Sequence, residues 1–288
     1  MQFGLSLPQF DAFGDVRKLV ELAQAAEEAG WDGFFVWDHI LFDNFWRPMV
    51  DPWVALAAIA MATERIRIGT LVTPVARRRP WKLARETLSI DRLSNGRLIL
   101  GVGLGSPEKW EYGFFGEETD NRIRAEKLDE GLEILLGLWS GELFGFQGKH
   151  YQLEAMRFLP TPVQQPRIPI WVAGMWPNKA PMRRAARYDG AIPLKSQGTL
   201  TPDEWRDVLA YVNGERTSDR PIDAVAMGVT PTNQAQAGEI VAAYADAGCN
   251  WWVEDISPYG YGLAWDDYPW PDGIAERLED RIRQGPPK

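Results

Sequence analysis

Residues 66–102 read IRIGTLVTPVARRRPWKLARETLSIDRLSNGRLILGV and hold one full repeat of the chain's organisation. Ile66 to Val72 is a short run of strand length rich in apolar and β-branched residues, and Arg97 to Val102 is a second. Between them Pro80 stands where proline opens a helix, and Asn95-Gly96 supplies a left-handed stop. Strand, helix, strand over roughly 30 residues is the size of a βαβ unit.

The same alternation continues in both directions. Upstream strands are expected at Phe3 to Leu7 and Gly33 to Trp37, and downstream ones at Ile168 to Ala173, Asp189 to Leu194, Ala224 to Thr230 and Asn250 to Glu254. Asp15 caps a helix over Val16 to Ala29 that Gly30 ends, and Asp51-Pro52 opens another over Trp53 to Thr63. Further helices fit Asp120 to Trp139, Lys179 to Tyr188, Pro202 to Val212, Gln234 to Ala247 and Gly273 to Arg283. Eight βα repeats in one composition regime predict a single (β/α)8 TIM barrel over residues 1–288, of α/β class. The interval after the fourth strand is about twice the others. It predicts insertions at 104–119 and at 142–167, the second a Gly- and aromatic-rich hairpin.

Composition narrows the function classes. The formal charge is −9, from 31 Lys+Arg against 40 Asp+Glu, which argues against nucleic acid because phosphate contacts need a dense basic surface. One cysteine, Cys249, excludes an intrachain disulfide and a thiolate metal cluster. Two histidines, His39 and His150, cannot build a multi-histidine metal site, so no metal is expected. The chain starts directly on a strand, with neither a leader pattern nor a membrane-length apolar run, and a cytoplasmic location is expected.

Barrel chemistry sits where strands end and βα loops begin. The positions to inspect are therefore Pro8-Gln9, Trp37-Asp38-His39, Thr70 to Pro74, Gly103 to Ser106, Ala173 to Lys179, Pro193 to Ser196, Thr230 and Glu254-Asp255. Gly101-Val102-Gly103-Leu104-Gly105-Ser106 fails the dinucleotide fingerprint, because the third glycine would fall at Ser106 and no helix starts there. His39 is the one imidazole near a strand end, and an imidazole can move a proton in either direction near neutral pH. Arg77-Arg78-Arg79 is read either as a solvated loop or subunit contact, or as a grip on a polyanionic cofactor tail. Trp37, Trp46 and Trp176 fall in or beside strand-end loops and can line a pocket for a planar ring.

Several segments carry a resemblance. Ala26 to Asp32, Trp37-Asp38-His39, Asp51-Pro52-Trp53, Arg65 to Pro74, Asp91 to Arg97, Leu132 to Gly141 and Ile170 to Gly174 together resemble the luciferase-like monooxygenase superfamily, in order over nearly the whole chain. The resemblance implies a barrel that binds the deazaflavin coenzyme F420 or FMN and moves a hydride. The Asp38-His39 pair is similar to that of the deazaflavin branch, where the histidine lies by the reactive carbon. Thr70, Leu71 and Val72 resemble the strand-three bulge that backs the cofactor and often holds a non-proline cis peptide, placed here at Leu71-Val72. Ala173-Gly174 resembles the turn whose amides hold the cofactor phosphate, with Met175, Trp176, Asn178, Lys179 and Lys195 as further cofactor contacts beside Trp37, Gly105 and Ser106. Where some deazaflavin dehydrogenases carry a glutamate after the strand-four glycines, this chain has Ser106, with Glu108 and Glu111 further on. That departure argues against a sugar-phosphate substrate.

Three functions follow. The first is an F420-dependent oxidoreductase acting on a small organic substrate. The second is an FMN-dependent monooxygenase fed by a separate flavin or F420 reductase. The third is a non-catalytic flavin-binding paralogue. The resemblance implies a homodimer. Substrate choice is assigned to the loops at 40–50, 104–119 and 259–271, whose aromatic content suggests an apolar or ring-bearing molecule.

Overall fold

A computed structural model of the protein describes residues 1–43, 45–265 and 267–288. Asn44 and Asp266, inside two of the specificity loops, lie outside the described residues. In chain order the elements are β1 (Gln2–Leu7), α1 (Val16–Ala29), β2 (Gly33–Val36), α2 (Pro52–Ala62), β3 (Arg67–Pro74), α3 (Pro80–Leu93), β4 (Leu98–Gly103), α4 (Glu108–Glu111) and α5 (Asn121–Trp139). The hairpin β5 (Phe144–Gln147) and β6 (Gln152–Met156) follows. The chain then runs through β7 (Ile170–Met175), α6 (Lys179–Ala185), β8 (Gly190–Leu194), α7 (Pro202–Glu215), β9 (Asp223–Gly228), α8 (Gln234–Asp246), β10 (Trp251–Asp255) and α9 (Ile274–Gln284). Around the barrel the order is β1-β2-β3-β4-β7-β8-β9-β10, all parallel, and β10 closes on β1.

Local chemistry sets the boundaries. The Asp15 carboxylate accepts from the Arg17 and Lys18 amides at the start of α1, and Gly30 ends the helix at φ +92. Asp51 and Pro52 open α2 in the same way, while Thr201 and Glu204 form a reciprocal capping box at α7. The helix expected to reach Tyr188 stops at Ala185, because the amides of Arg187 and Tyr188 turn back three residues, to Arg184 and Ala185.

The packing distinguishes the inside of the barrel from its outer face. Phe35, Trp171 and Trp251 come from strands that are not all neighbours, yet their rings lie 5.0 to 6.1 Å apart, so they meet across the interior. Leu71, Ile99, Ala173, Ile192, Val225 and Val253 complete this inner cluster. Side chains alternate along a strand, so beyond Trp251 and Val253 the next inward position on β10 is Asp255. The outer face buries a larger layer against the helices, with Leu19, Leu22, Phe34, Leu56, Leu83, Leu128 and Leu132 among its members. Because every barrel strand runs the same way, the loops after Leu7, Val36, Pro74, Gly103, Met175, Leu194, Gly228 and Asp255 share one mouth.

Candidate active site

β2 ends at Val36, and the next three residues leave the sheet with different partners. Asp38 is buried within the wall. Its carboxylate accepts from Trp53 Nε1 at 3.1 Å, Thr73 Oγ1 at 2.8 Å and Arg78 at 2.8 Å, and it pairs with Arg77. Arg77 also pairs with Glu111, a buried carboxylate at the end of α4. Glu111 Oε1 stands 2.9 Å from His39 Nδ1. A carboxylate only accepts, so Nδ1 carries the hydrogen and donates it, and Nε2 keeps its lone pair. Of the two places open to the Asp38 side chain, on the His39 ring or in the barrel wall, it takes the wall, joined through Arg77 to Glu111, and the residue that holds the imidazole is Glu111.

The charges in this cluster balance without a proton on His39. Asp38 and Glu111 supply two negative charges, and Arg77 and Arg78 two positive ones. Burial alone would push the Asp38 carboxyl up, but the guanidiniums of Arg78 and Arg77 outweigh it and hold it below the ordinary carboxylate range. Burial, with Arg77 nearby, pushes His39 down from 6.5 to about 3, against the opposing pull of Asp38. The resting imidazole is therefore uncharged with Nε2 as its free acceptor, and Glu111, 2.9 Å from Nδ1, is the group placed to steady a proton taken up there.

This has a consequence for acid stability. Between the folded value of about 3 and the unfolded value of 6.5, the unfolded chain binds more protons at His39 than the folded chain does. Stability should rise with pH across that window and be lost as pH falls through it. Urea unfolding of the wild type and His39→Gln at several pH values should show a shallower pH dependence in the variant. The same slope in both would contradict a buried neutral imidazole.

The arginine run fits neither role expected of it at two of its three positions. Arg77 and Arg78 are internal struts with 7% and 16% side-chain exposure, engaged by Asp38, Glu111 and Glu86. Arg79 alone is exposed, with its guanidinium over Trp81.

Residues of the expected cofactor side divide. The Leu71-Val72 peptide is cis, at the bulge between Thr70 and Thr73. Leu71 belongs to the inner cluster and Val72 packs against it, whereas the Thr70 hydroxyl is fully buried beside Thr73 and donates to the Gly101 carbonyl. Thr70 thus offers the mouth no free hydroxyl. Gly101 and Gly103 leave the wall open where a Cβ would run into Thr70, Leu71 or Val72. Gly105, at φ +79, lies against Pro74 and Tyr112, and its carbonyl accepts from Arg124, while Ser106 is exposed.

β7 ends through Ala173, Gly174 and Met175, and Trp176 and Asn178 follow it. The Trp176 amide donates to Leu194 and the Asn178 amide to Met175, and Pro177 has none. The amides left for an anion are those of Lys179 and Ala180, which no side chain caps. Lys179 Nζ lies 3.8 Å from the Trp176 ring centroid and 4.4 Å from that of Tyr211. Lys195 is paired with Glu204 at 2.7 Å.

An aromatic wall lines the His39 side. The His39 ring lies 5.7 Å from Trp37 and 4.9 Å from Phe42. Tyr259 stacks on Trp37 at 6.2 Å and on Trp265 at 4.2 Å. Trp46, read as a pocket residue, is 68% exposed and touches Phe114 at the rim. Glu111 was named only as an acid lying past Ser106, with no role on His39; the signal available was an acid between Trp110 and Tyr112 in the segment that returns to the barrel mouth.

The luciferase-like monooxygenase family profile matches residues 1–251. The F420-dependent glucose-6-phosphate dehydrogenase of Gordonia bronchialis is 34% identical over 232 residues, 77% of this chain and 64% of that protein. The F420-dependent hydroxymycolic acid dehydrogenase of Mycobacterium tuberculosis is 36% identical over 181 residues, 61% of this chain and 48% of that protein. The matches thus span less than two thirds of these relatives' lengths. Among solved structures, an F420-dependent secondary alcohol dehydrogenase in complex with an F420-acetone adduct superposes with TM-score 0.72 at 18% identity, covering 93% of this chain and 98% of that one. The F420-dependent tetrahydromethanopterin reductase of Methanopyrus kandleri does so with TM-score 0.73 at 15% identity, covering 99% and 98%. At these identities the structures show a shared fold.

Proposed function

The chain belongs to the luciferase-like monooxygenase family, and from that premise we propose that it is an F420-dependent oxidoreductase acting on a small organic molecule. The observation that carries this reading is the His39 imidazole at the barrel mouth, fixed through Nδ1 by Glu111 with Nε2 left as an acceptor. Oxidising an alcohol requires removal of a proton as a hydride leaves, and a base with this tautomer suits that task. The relatives named for F420-dependent dehydrogenation support the same direction.

The residues present suit a flat cofactor. Gly101 and Gly103 keep Cβ atoms away from the bulge at Leu71 and Val72, and the uncapped Lys179 and Ala180 amides suit a phosphate. When bound, F420 supplies the hydride acceptor or donor. The chain's own groups orient it, exclude water with the aromatic wall and move the proton at His39 Nε2. The reading places the protein in the cytoplasm, and the family resemblance implies a homodimer; a separate reductase as the source of reduced cofactor belongs to the FMN-dependent alternative. No helix among the described residues is long and apolar enough to cross a membrane.

Fluorescence titration of the purified protein with F420 and with FMN tests the cofactor choice. F420 should bind at least about tenfold more tightly, a difference that about 1.4 kcal/mol produces. Tighter FMN binding, accompanied by oxygen uptake when the flavin is reduced, would favour the monooxygenase reading instead.

A further inference from the structure

Asp255 ends β10 at an inward position of the barrel mouth, and nothing in the hydride chemistry at His39 uses it. Its Oδ1 is buried without a hydrogen-bond partner, and Oδ2 lies beneath Gly260, 2.8 Å from where a Cβ would stand. In the barrel register Asp255 pairs with Ser6, whose hydroxyl accepts from Trp37 Nε1 at 3.0 Å. Trp37 is in turn 5.7 Å from the His39 ring. Ser6 and the Trp37 indole thus stand between Asp255 and His39, with Tyr259 stacked on that indole and Trp265 stacked on Tyr259. The Tyr259 hydroxyl is a second buried polar atom without a partner in the same loop.

We propose that Asp255 reads the substrate, hydrogen-bonding a second, uncharged oxygen on a ring-bearing alcohol or ketone whose reacting carbon lies at His39. An unpartnered buried carboxyl oxygen is costly unless a ligand completes it, and the aromatic wall supplies the apolar surface a ring requires. Burial also pushes the Asp255 carboxyl up to about 7, with Glu254 adding to the rise and Ser257 opposing it, so near neutral pH a large fraction is uncharged and can donate. A phosphorylated substrate is disfavoured on charge. The arginines on this side are already held, Arg77 and Arg78 by Asp38, and Arg47 between Asp11 and Asp43.

The proposal rests on F420-dependent chemistry at His39, in which the ring alcohol loses a hydride to F420 and a proton to Nε2. The products are the ketone and reduced F420, which takes up one proton in exchange. With F420-loaded protein and 1,4-cyclohexanediol, cyclohexanol and glucose 6-phosphate as probes, kcat/KM should be highest for the diol, about tenfold above cyclohexanol, the size of one buried hydrogen bond to a strongly polar group. Asp255→Ala should abolish the diol's advantage and Asp255→Asn restore part of it. Neither should change F420 affinity, and the alanine variant should lose no turnover of cyclohexanol, which has no second oxygen for Asp255 to meet. Preference for glucose 6-phosphate, an unchanged diol advantage in the alanine variant, or no turnover of any probe with F420 bound would overturn the proposal. Absence of F420 binding in the wild type would instead overturn the cofactor assignment. Tryptophan fluorescence would then read diol binding alone, and equal affinity in wild type and Asp255→Ala would still count against Asp255.

Discussion

His39→Ala should lower turnover by about 10² to 10⁴, the usual contribution of a positioned acid–base group, while leaving F420 affinity unchanged. The ring nitrogen that faces Glu111 is already a donor, so the other is the acceptor a leaving proton requires. His39→Gln separates two roles of the side chain. Its amide can still donate to Glu111 and fill the space beside Phe42 and Trp37, but it cannot carry a proton. Turnover in the glutamine variant should therefore stay close to that of the alanine variant. Nearly normal turnover in either variant, measured where hydride transfer limits the rate, would make His39 a packing residue.

The second large effect is expected at Arg77. Its guanidinium joins Asp38 to Glu111, and all three side chains are almost wholly buried. Arg77→Met should destabilise the fold by about 3–5 kcal/mol, because it leaves buried carboxylate charge uncompensated. Asp38 keeps Arg78, so most of the loss falls on Glu111. Arg77→Met combined with Glu111→Gln should recover much of the stability, since the double change removes both charges of the pair. Chemical denaturation of the single and double variants measures this. A loss below about 0.5 kcal/mol in the single variant would fit an exposed surface arginine instead.

The barrel strands were legible because each is a short apolar run with a clear stop. Gly30, Asp51-Pro52 and Asn95-Gly96 marked their neighbours' ends through backbone geometry that only a few residue types satisfy. The hairpin at 144–156 was legible for the same reason. The site was legible only in part. His39 could be found by its position, but adjacency left the Asp38 side chain two places, on the ring or in the barrel wall. Consecutive residues of extended chain point in opposite directions, so the carboxylate next to His39 in sequence turns into the wall. What replaces it, Glu111, lies 72 residues away and reaches His39 only when the loop after β4 folds back over the mouth. The arginine run misled for a related reason. Solvated and cofactor-binding arginines look alike in sequence, and so do buried struts, until the partners at 38 and 111 are brought beside them.

A structure of the protein bound to F420 would place the ring and the proton acceptor together. The deazaflavin ring should lie on Leu71 and Val72, with His39 Nε2 within roughly 3–4 Å of the atoms exchanging hydride and proton, as near-attack geometry requires. A ring seated on another βα loop, or His39 Nε2 turned into the wall away from the reactive edge, would contradict it.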